Sequence, residues 1–418
     1  MTQHSKVLVV GAGLVGLCVA KALAQRQFDV TVIASDWGAE RASYGNAGHI
    51  ATEQVDSLAD PAMLRALPAR LFSRGGPAAF PLRDIATWLP FGLRYLRHCT
   101  PACFRRNSQT LESLMQLALP AWQRLAADLG EPQCLKLHGH RVVYESTRSA
   151  SKGLSHWLNA RCGNVTTHEL GHEHLDELEQ ALRVKLYGGI QFVGSGQVTS
   201  PPEVLRRTEE VIRGLGVTCV TEQITGIRAH AATGYTATSA SGNTFTSQHI
   251  VIAAGAQSHR LLKPLGLSVP LIAERGYHLE GVRGAAWTQP GPVVFEDRHV
   301  VVSGFGERLR ATSFVEFASE RSPPDFRKWQ RLNRHLDELG VPMGAPRHPW
   351  MGARPTLPDY LPAIGAVSGW PGLWTAFGHQ HLGLTLAPIT AEILAPHIQA
   401  HGSNSSLDWN RLSLDRFQ

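Results

Sequence analysis

The chain has 418 residues, 43% of them hydrophobic and 18% charged, with a formal net charge of +6. That length exceeds what one core usually supports, so two globular domains are expected rather than a disordered or fibrous chain. There is no eighteen-residue apolar run, no lysine or arginine block that would suit nucleic acid, and no C-x-x-C pair among Cys18, Cys99, Cys103, Cys134, Cys162 and Cys219. With polar residues 1–5 and no signal-peptide pattern, the expectation is a soluble, cytoplasmic protein in a reducing environment, with no zinc site and no disulfide framework.

The first element organises the rest. An apolar strand over 7–10 runs directly into G-x-G-x-x-G at Gly11, Gly13 and Gly16 and then into an alanine-rich helix, the dinucleotide fingerprint in its required context. Gly11 permits the tight turn, Gly13 lets the backbone approach a pyrophosphate, and Gly16 lets helix and strand pack closely, while Ala12, Leu14 and Val15 lie where N–H groups face the phosphates. A second strand over 29–33 should end in an acid that holds the adenosine ribose, but Ala34 stands there. Ser35 and Asp36 follow, so either Asp36 reaches the ribose from one step on or backbone and water hold it.

The small, glycine-rich run Ser43, Asn46, Ala47 and Gly48 reads as a close backbone approach beneath the cofactor. Residues 61–107 alternate proline-broken and apolar-aromatic stretches, and the aromatics and arginines over 88–97 suit either a packed helix pair or a bilayer interface. Leu111, Leu114, Leu117, Leu119, Trp122 and Leu125 carry helical spacing over 108–129.

His168, Glu169 and His172 match H-E-x-x-H, which on one helix would hold zinc. The β-branched residues before it favour a strand, and the helical pattern begins only at Gly171 and His172, so zinc chemistry is not expected. Ser200 followed by prolines starts a helix, a strand over 217–220 follows, and turns are expected near 232–234 and 241–243. The apolar strand over 249–252 ends in Ala253, Ala254 and Gly255, a second place where backbone can meet a nucleotide.

Residues 264–345 read as a separate mixed sheet with a helix, carrying an unusual cluster over 274–278. The chain then returns through 350–365 to a strand, a loop bounded by Gly378 and Gly383, and a helix whose positive end can face whatever the loop cradles.

The order of these segments, G-x-G-x-x-G, S-x-G-N-A-G, I-A-A-G-A, G-x-R-P-x-x-P-D-x-x-P-x-I-G and G-H-x-H-L-G-x-T-x-A-P, resembles the FAD-dependent D-amino-acid dehydrogenase and glycine oxidase superfamily over nearly the whole chain. It is similar above all to the branch of D-amino-acid dehydrogenases, D-hydroxyproline dehydrogenases and glyphosate oxidoreductase. The resemblance implies an α/β fold: a Rossmann-type, glutathione-reductase-like FAD-binding domain from 1–60, 186–262 and 346–418, and a mixed-sheet substrate domain from 61–185 and 263–345. It implies FAD held without a covalent link, with His379, Gly383, Leu384 and Thr385 near the flavin.

By the same resemblance, Arg354 grips the substrate carboxylate, a role that suits a planar fork of donors. In glycine oxidase a second arginine lies between the two late glycines; here His381 occupies that place. Tyr277 is a candidate second partner for the carboxylate, and His278, His379, His381 or Glu316 can take the ammonium proton. Trp350 and Phe377 are candidate apolar walls. The implied reaction is C–N oxidation of a D-amino acid or a cyclic imino acid of D-proline or D-hydroxyproline type. Alternatives are a glycine-, sarcosine- or glyphosate-type amine oxidase, a nicotinamide-dependent dehydrogenase, and a non-catalytic flavoprotein subunit. The acceptor, oxygen, quinone or a partner subunit, is not legible, although the stretch over 85–98 leans toward a quinone and peripheral contact with the inner face of the cytoplasmic membrane.

Overall fold

A computed structural model describes residues 5–230, 234–400 and 409–418; the turn expected near 232–234 falls largely outside them. The first strand, Lys6–Val10, is the centre of a six-stranded sheet. From edge to edge the order is Thr218–Thr221, Asp29–Ala34, Lys6–Val10, His249–Ile252, Leu373–Phe377 and Ala363–Ala366. The first five run parallel and the last antiparallel. A parallel sheet is covered on both faces, which is why these strands read as unbroken apolar runs. On one side Val7 and Val9 pack against the helices Leu14–Ala24, Pro201–Gly214 and Gly383–Gln399 through Leu17, Leu205 and Leu386. On the other, Leu8, Ile250 and Ile252 meet Tyr235 and Ala237 of a three-stranded antiparallel sheet.

Two glycines of the fingerprint are dictated by space. Gly11 has φ of +120°, and a Cβ there would stand 2.3 Å from the Ala253 carbonyl oxygen; a Cβ on Gly16 would stand 2.0 Å from the Gly11 oxygen. Strand, helix and the neighbouring strand end therefore close on each other only without side chains.

A nine-stranded mixed sheet forms the second layer system. Its edge strand, Met343–Thr356, pairs along almost the whole length of Ile272–Arg283, which pairs in turn with Arg308–Ala318. The sheet continues to His140–Tyr144, Gly188–Val193 and Thr166–Glu169. The helix Phe326–Leu339 covers one face through Leu332 and Leu336.

The layers correct the expected boundaries. Gly188–Val193 and Met343–Thr356 belong to the nine-stranded sheet, so the cuts at 186 and 346 misassign two strands. The helix Pro101–Asp128, seven residues longer at its start than the 108–129 pattern, packs on the first sheet's helices through Leu111, Leu114 and Trp122 rather than on the second sheet. Its start was hidden by polar residues; Thr100 caps it and Pro101 opens it. The H-E-x-x-H match is split, His168 and Glu169 on the strand Thr166–Glu169 and His172 at the start of the helix His172–Glu179. The stretch over 85–98 forms the helix Ile85–His98, which buries only Phe91.

The contrast between two glycines is measurable. Gly16→Ala should lower stability by about 1–3 kcal/mol through overpacking, whereas Gly92→Ala, in a helix with nothing within 4 Å of its Cβ, should raise it by up to about 1 kcal/mol. Urea unfolding midpoints of the two variants check this.

Candidate active site

A cleft of about 810 Å³ opens outside the carboxyl ends of the parallel strands, where open α/β sheets place their ligands. One wall is the turn Gly11, Ala12 and Gly13, and the facing one is Ala253, Ala254 and Gly255. Val15, Ser35, Asp36, Ser43, Asn46, His379, Gly383 and Leu384 also line it, as do Trp350 and Phe377. The remaining candidates act behind the surface. Ser43 Oγ accepts the Leu14 N–H at 3.1 Å. Thr385 Oγ1 accepts the Ala51 N–H at 3.0 Å, and Asn46 Oδ1 accepts that of Gly48 at 2.8 Å. Gly48 and Gly378 have positive φ and lie against Phe305 and Leu357, and Ala47, like Gly16, does not line the cleft.

The carboxylate of Asp36 reaches the cleft but serves its own loop, accepting the N–H groups of Gly38 at 2.7 Å and Glu40 at 3.1 Å. Sequence reading missed Arg41, whose Nη1 donates to the Ala12 carbonyl at 3.0 Å and pairs with Glu209 at 2.6 Å, fixing the glycine turn from behind. It also missed Glu40 and Gln223, which line the cleft. The signal for Gln223 is its position just past a parallel strand, Thr218–Thr221, at the sheet edge.

The nine-stranded sheet turns one face to the 43–50 loop. His278 Nδ1 lies 3.1 Å from the Gly45 carbonyl, and Trp350 stacks on His278 while packing against Gly45. Strand alternation puts Glu274, Gly276, Gly352 and Arg354 on this same face. The Arg354 guanidinium lies across Gly276, where a Cβ would stand 2.2 Å from Nη2. Its Nη1 reaches Glu274 at 3.5 Å and the Phe314 carbonyl at 3.4 Å, while Nη2 and Nε have no partner among the described residues. Glu274 is held in turn by Thr356 Oγ1 at 3.1 Å and Tyr360 OH at 3.2 Å.

Backbone strain gathers here. Of the non-glycine residues with positive φ, Phe314 (+68°), Tyr360 (+57°) and Gln380 (+50°) all surround Arg354 and Glu274 or adjoin His381, and each such conformation costs about 1–2 kcal/mol. Gln380 Nε2 donates to the Tyr360 carbonyl at 2.6 Å, tying the two strained turns together.

Tyr277 and Glu316 do not reach this face. Their odd-numbered neighbour Arg275 shows the pattern: it pairs with Glu316 at 2.7 Å, Lys328 joins at 3.2 Å, and Tyr277 OH donates to the same carboxylate, all fully or almost fully buried. Tyr277 is therefore not a partner for a ligand on Arg354, and Glu316 is not available as a base.

The three histidines are neutral. Burial lowers His278 to about 3, with the Arg310 charge adding to it, and lowers His379 to about 3. His379 Nε2 meets Thr390 Oγ1 at 2.9 Å. His381, bonded through Nε2 to Gln54 Oε1, is lowered to about 3 by burial and then by Arg354, whose charge it feels.

A family model described as FAD dependent oxidoreductase (DAO) matches residues 6–396. The chain belongs to this family. Among curated relatives, the D-amino-acid oxidase of Bradyrhizobium diazoefficiens is 27% identical over 403 residues, covering 94% of this chain and 95% of that protein. The D-amino acid dehydrogenase of Paramagnetospirillum magneticum is 27% identical over 439 residues, 99% of both chains. The crystal structure of glycine oxidase from Geobacillus kaustophilus superposes with a TM-score of 0.73 at 20% identity, covering 98% of each chain, a likeness of fold. The cleft fits the FAD of this oxidoreductase family: small residues line both walls, and the helices starting at Leu14 and Gly383 turn their N-termini toward it.

The neutral histidines give the FAD-dependent oxidoreductase an acid-sensitive fold. His278 and His379 stay uncharged down to about pH 3 in the fold, whereas in the unfolded chain they take up protons below about pH 6.5. Stability is thus full above pH 6.5 and lost as pH falls toward 3, by up to about 1.4 kcal/mol per pH unit for each imidazole. Urea midpoints should drop between pH 7 and pH 5, and His379→Gln should flatten that slope.

Proposed function

We propose that the chain oxidises the Cα–N bond of a D-amino acid, with a cyclic D-imino acid of D-proline or D-hydroxyproline type as the preferred substrate. The observation that carries this is Arg354: a guanidinium with two nitrogens open among the described residues, braced by Glu274, on the same sheet face as Trp350 and Gly352, which line the cleft, although Arg354 itself does not. The names of the curated relatives, D-amino-acid oxidase and D-amino acid dehydrogenase, support the D-amino acid class.

In this reading the six-stranded sheet and its helices, including Pro101–Asp128, form the FAD-binding domain, and the nine-stranded sheet roofs the substrate. The turn at Gly11–Gly13, Ser43, Gly255 and the N-terminus of the Gly383–Gln399 helix hold FAD, which supplies the hydride acceptor when bound. None of the six cysteines lines the cleft, which supports non-covalent attachment. Arg354 takes the carboxylate on Nη2 and Nε and so fixes the orientation of Cα. Gly276 and Gly352 keep the sheet surface flat, and the Arg354 guanidinium and the Trp350 ring lie in the space that their side chains would take. Facing an amide oxygen, His381 Nε2 carries the imidazole proton, and Nδ1 is left to accept a hydrogen bond from the substrate nitrogen and so to orient it.

Anaerobic mixing of the purified flavoprotein with D- and L-amino acids, prolines, sarcosine and glyphosate tests this. D-proline or D-hydroxyproline should bleach the flavin, and Arg354→Lys should cut kcat/KM by about 10- to 100-fold through the lost charged hydrogen bonds. Bleaching by sarcosine or glyphosate alone would favour the secondary-amine reading. No bleaching, or an Arg354→Ala variant with unchanged KM, would overturn the assignment.

A surface feature favours peripheral membrane contact and a quinone acceptor. On the helix Ile85–His98, Ile85, Leu89, Leu93 and Leu96 form one exposed stripe beside Arg94 and Arg97. No helix among the described residues is long and apolar enough to cross a membrane. The protein should sediment with anionic phospholipid vesicles at low salt, and Leu89→Ser with Leu93→Ser should release it; equal sedimentation of the double variant would count against the stripe.

A further inference from the structure

Away from the residues that line the cleft, three side chains from two distant segments converge. His49 lies on the two-residue strand His49–Ile50, Glu53 in the turn that follows, and His140 opens the strand His140–Tyr144 of the nine-stranded sheet. Glu53 Oε2 lies 3.6 Å from His49 Nε2, and Glu53 Oε1 lies 4.0 Å from His140 Nε2. All three donor atoms fall within 4.8 Å of one another. Side-chain exposure is 13% for His49, 3% for Glu53 and 5% for His140. His49 Nε2 and Glu53 Oε2 are buried with no hydrogen-bond partner among the described residues.

Buried polar atoms are almost always paired, so two orphans aimed at one point need a reason. His140 Nδ1 lies 3.2 Å from Ser195 Oγ, the kind of contact that fixes a ligating imidazole and leaves Nε2 with its lone pair. That lone pair, the one on His49 and a carboxylate then face the same small space. We propose that His49, Glu53 and His140 bind a divalent transition-metal ion, zinc being the best match to two imidazoles and one carboxylate. Donors bonded to tetrahedral zinc at about 2.0–2.2 Å stand about 3.3–3.5 Å apart, so the two Glu53 pairs, at 3.6 and 4.0 Å, are close to that spacing, and the widest pair, within 4.8 Å, closes by side-chain rotation of at most about 1.5 Å. Ring stacking of His140 on Phe192, centroids 4.2 Å apart, supplies an apolar wall.

None of the three residues lines the cleft, and the ion has no redox task here. It pins the segment after Asn46–Gly48 to the second sheet. Gln54, next to Glu53, holds His381, so the ion positions the imidazole beside Arg354 from behind. The competing arrangement is a carboxylic acid sharing its proton with an imidazole, which burial favours by raising Glu53 to about 8 and lowering His49 to about 4.

Elemental analysis of untagged flavoprotein, purified without chelator and supplied with ZnCl₂ before desalting, decides between them. The expected result is about one zinc per chain, falling at least fivefold in Glu53→Gln and in His140→Ala while the flavin-to-protein ratio is unchanged. As those variants can fold poorly, chelator-treated wild-type protein is also titrated with CoCl₂. A visible ligand-field band that one equivalent of ZnCl₂ removes supports the site. Zinc retained equally by the variants, or no uptake of either metal by the wild type, would overturn it in favour of the shared proton.

Discussion

Three backbone segments meet at Gly11, Gly16 and Ala253 closer than any side chain permits. This contact sets the angle of the first helix against the sheet and brings the end of His249–Ile252 beside the first turn. The cleft is the space that remains above them, and its two small-residue walls are the same residues that make the close packing possible. Arg41, bonded to the Ala12 carbonyl and paired with Glu209, holds the turn from the far side.

The second sheet solves a different problem, that of keeping one guanidinium accessible while burying two other cations. Alternation along Ile272–Arg283 separates them. One face carries Glu274 and, on the neighbouring strand, Arg354; the other carries Arg275 and Tyr277 with Glu316 and Lys328. The buried cluster is fully hydrogen-bonded, and removing one partner from such a set costs about 3–5 kcal/mol, since a charge is left without its counterpart. Among the described residues Arg354, in contrast, has only two weak contacts, both through one nitrogen. The positive-φ residues Phe314, inside the strand Arg308–Ala318 where its register shifts, and Tyr360 and Gln380 keep backbone carbonyls and Glu274 in place around it.

The parts of this arrangement that were legible in the sequence are those with local rules. The glycine spacing after an apolar strand, the proline-led helix after Ser200 and the split of H-E-x-x-H by β-branched residues all follow from short-range chemistry. The boundaries did not follow, because Gly188–Val193 and the helix Pro101–Asp128 choose their layer by packing partners far away in the chain. Tyr277 lies on the other side of the sheet from Arg354 for a related reason: adjacent residues in a strand point to opposite faces, and the sequence does not say which face meets the 43–50 loop. The grouping of His49, Glu53 and His140 had no local signal, since the third member comes from another sheet.

The interleaving of segments also bears on how the protein is made. The strand Leu373–Phe377 and the helix Gly383–Gln399 supply Ala376, Phe377, Gly383 and Leu384 to the cleft of a 418-residue chain. While the ribosome still holds these residues in its exit tunnel, the central strand His249–Ile252 has an open edge and the cleft lacks one end. Until Leu373–Phe377 pairs with it, His249–Ile252 presents an open parallel strand edge, the kind of edge to which another chain can add.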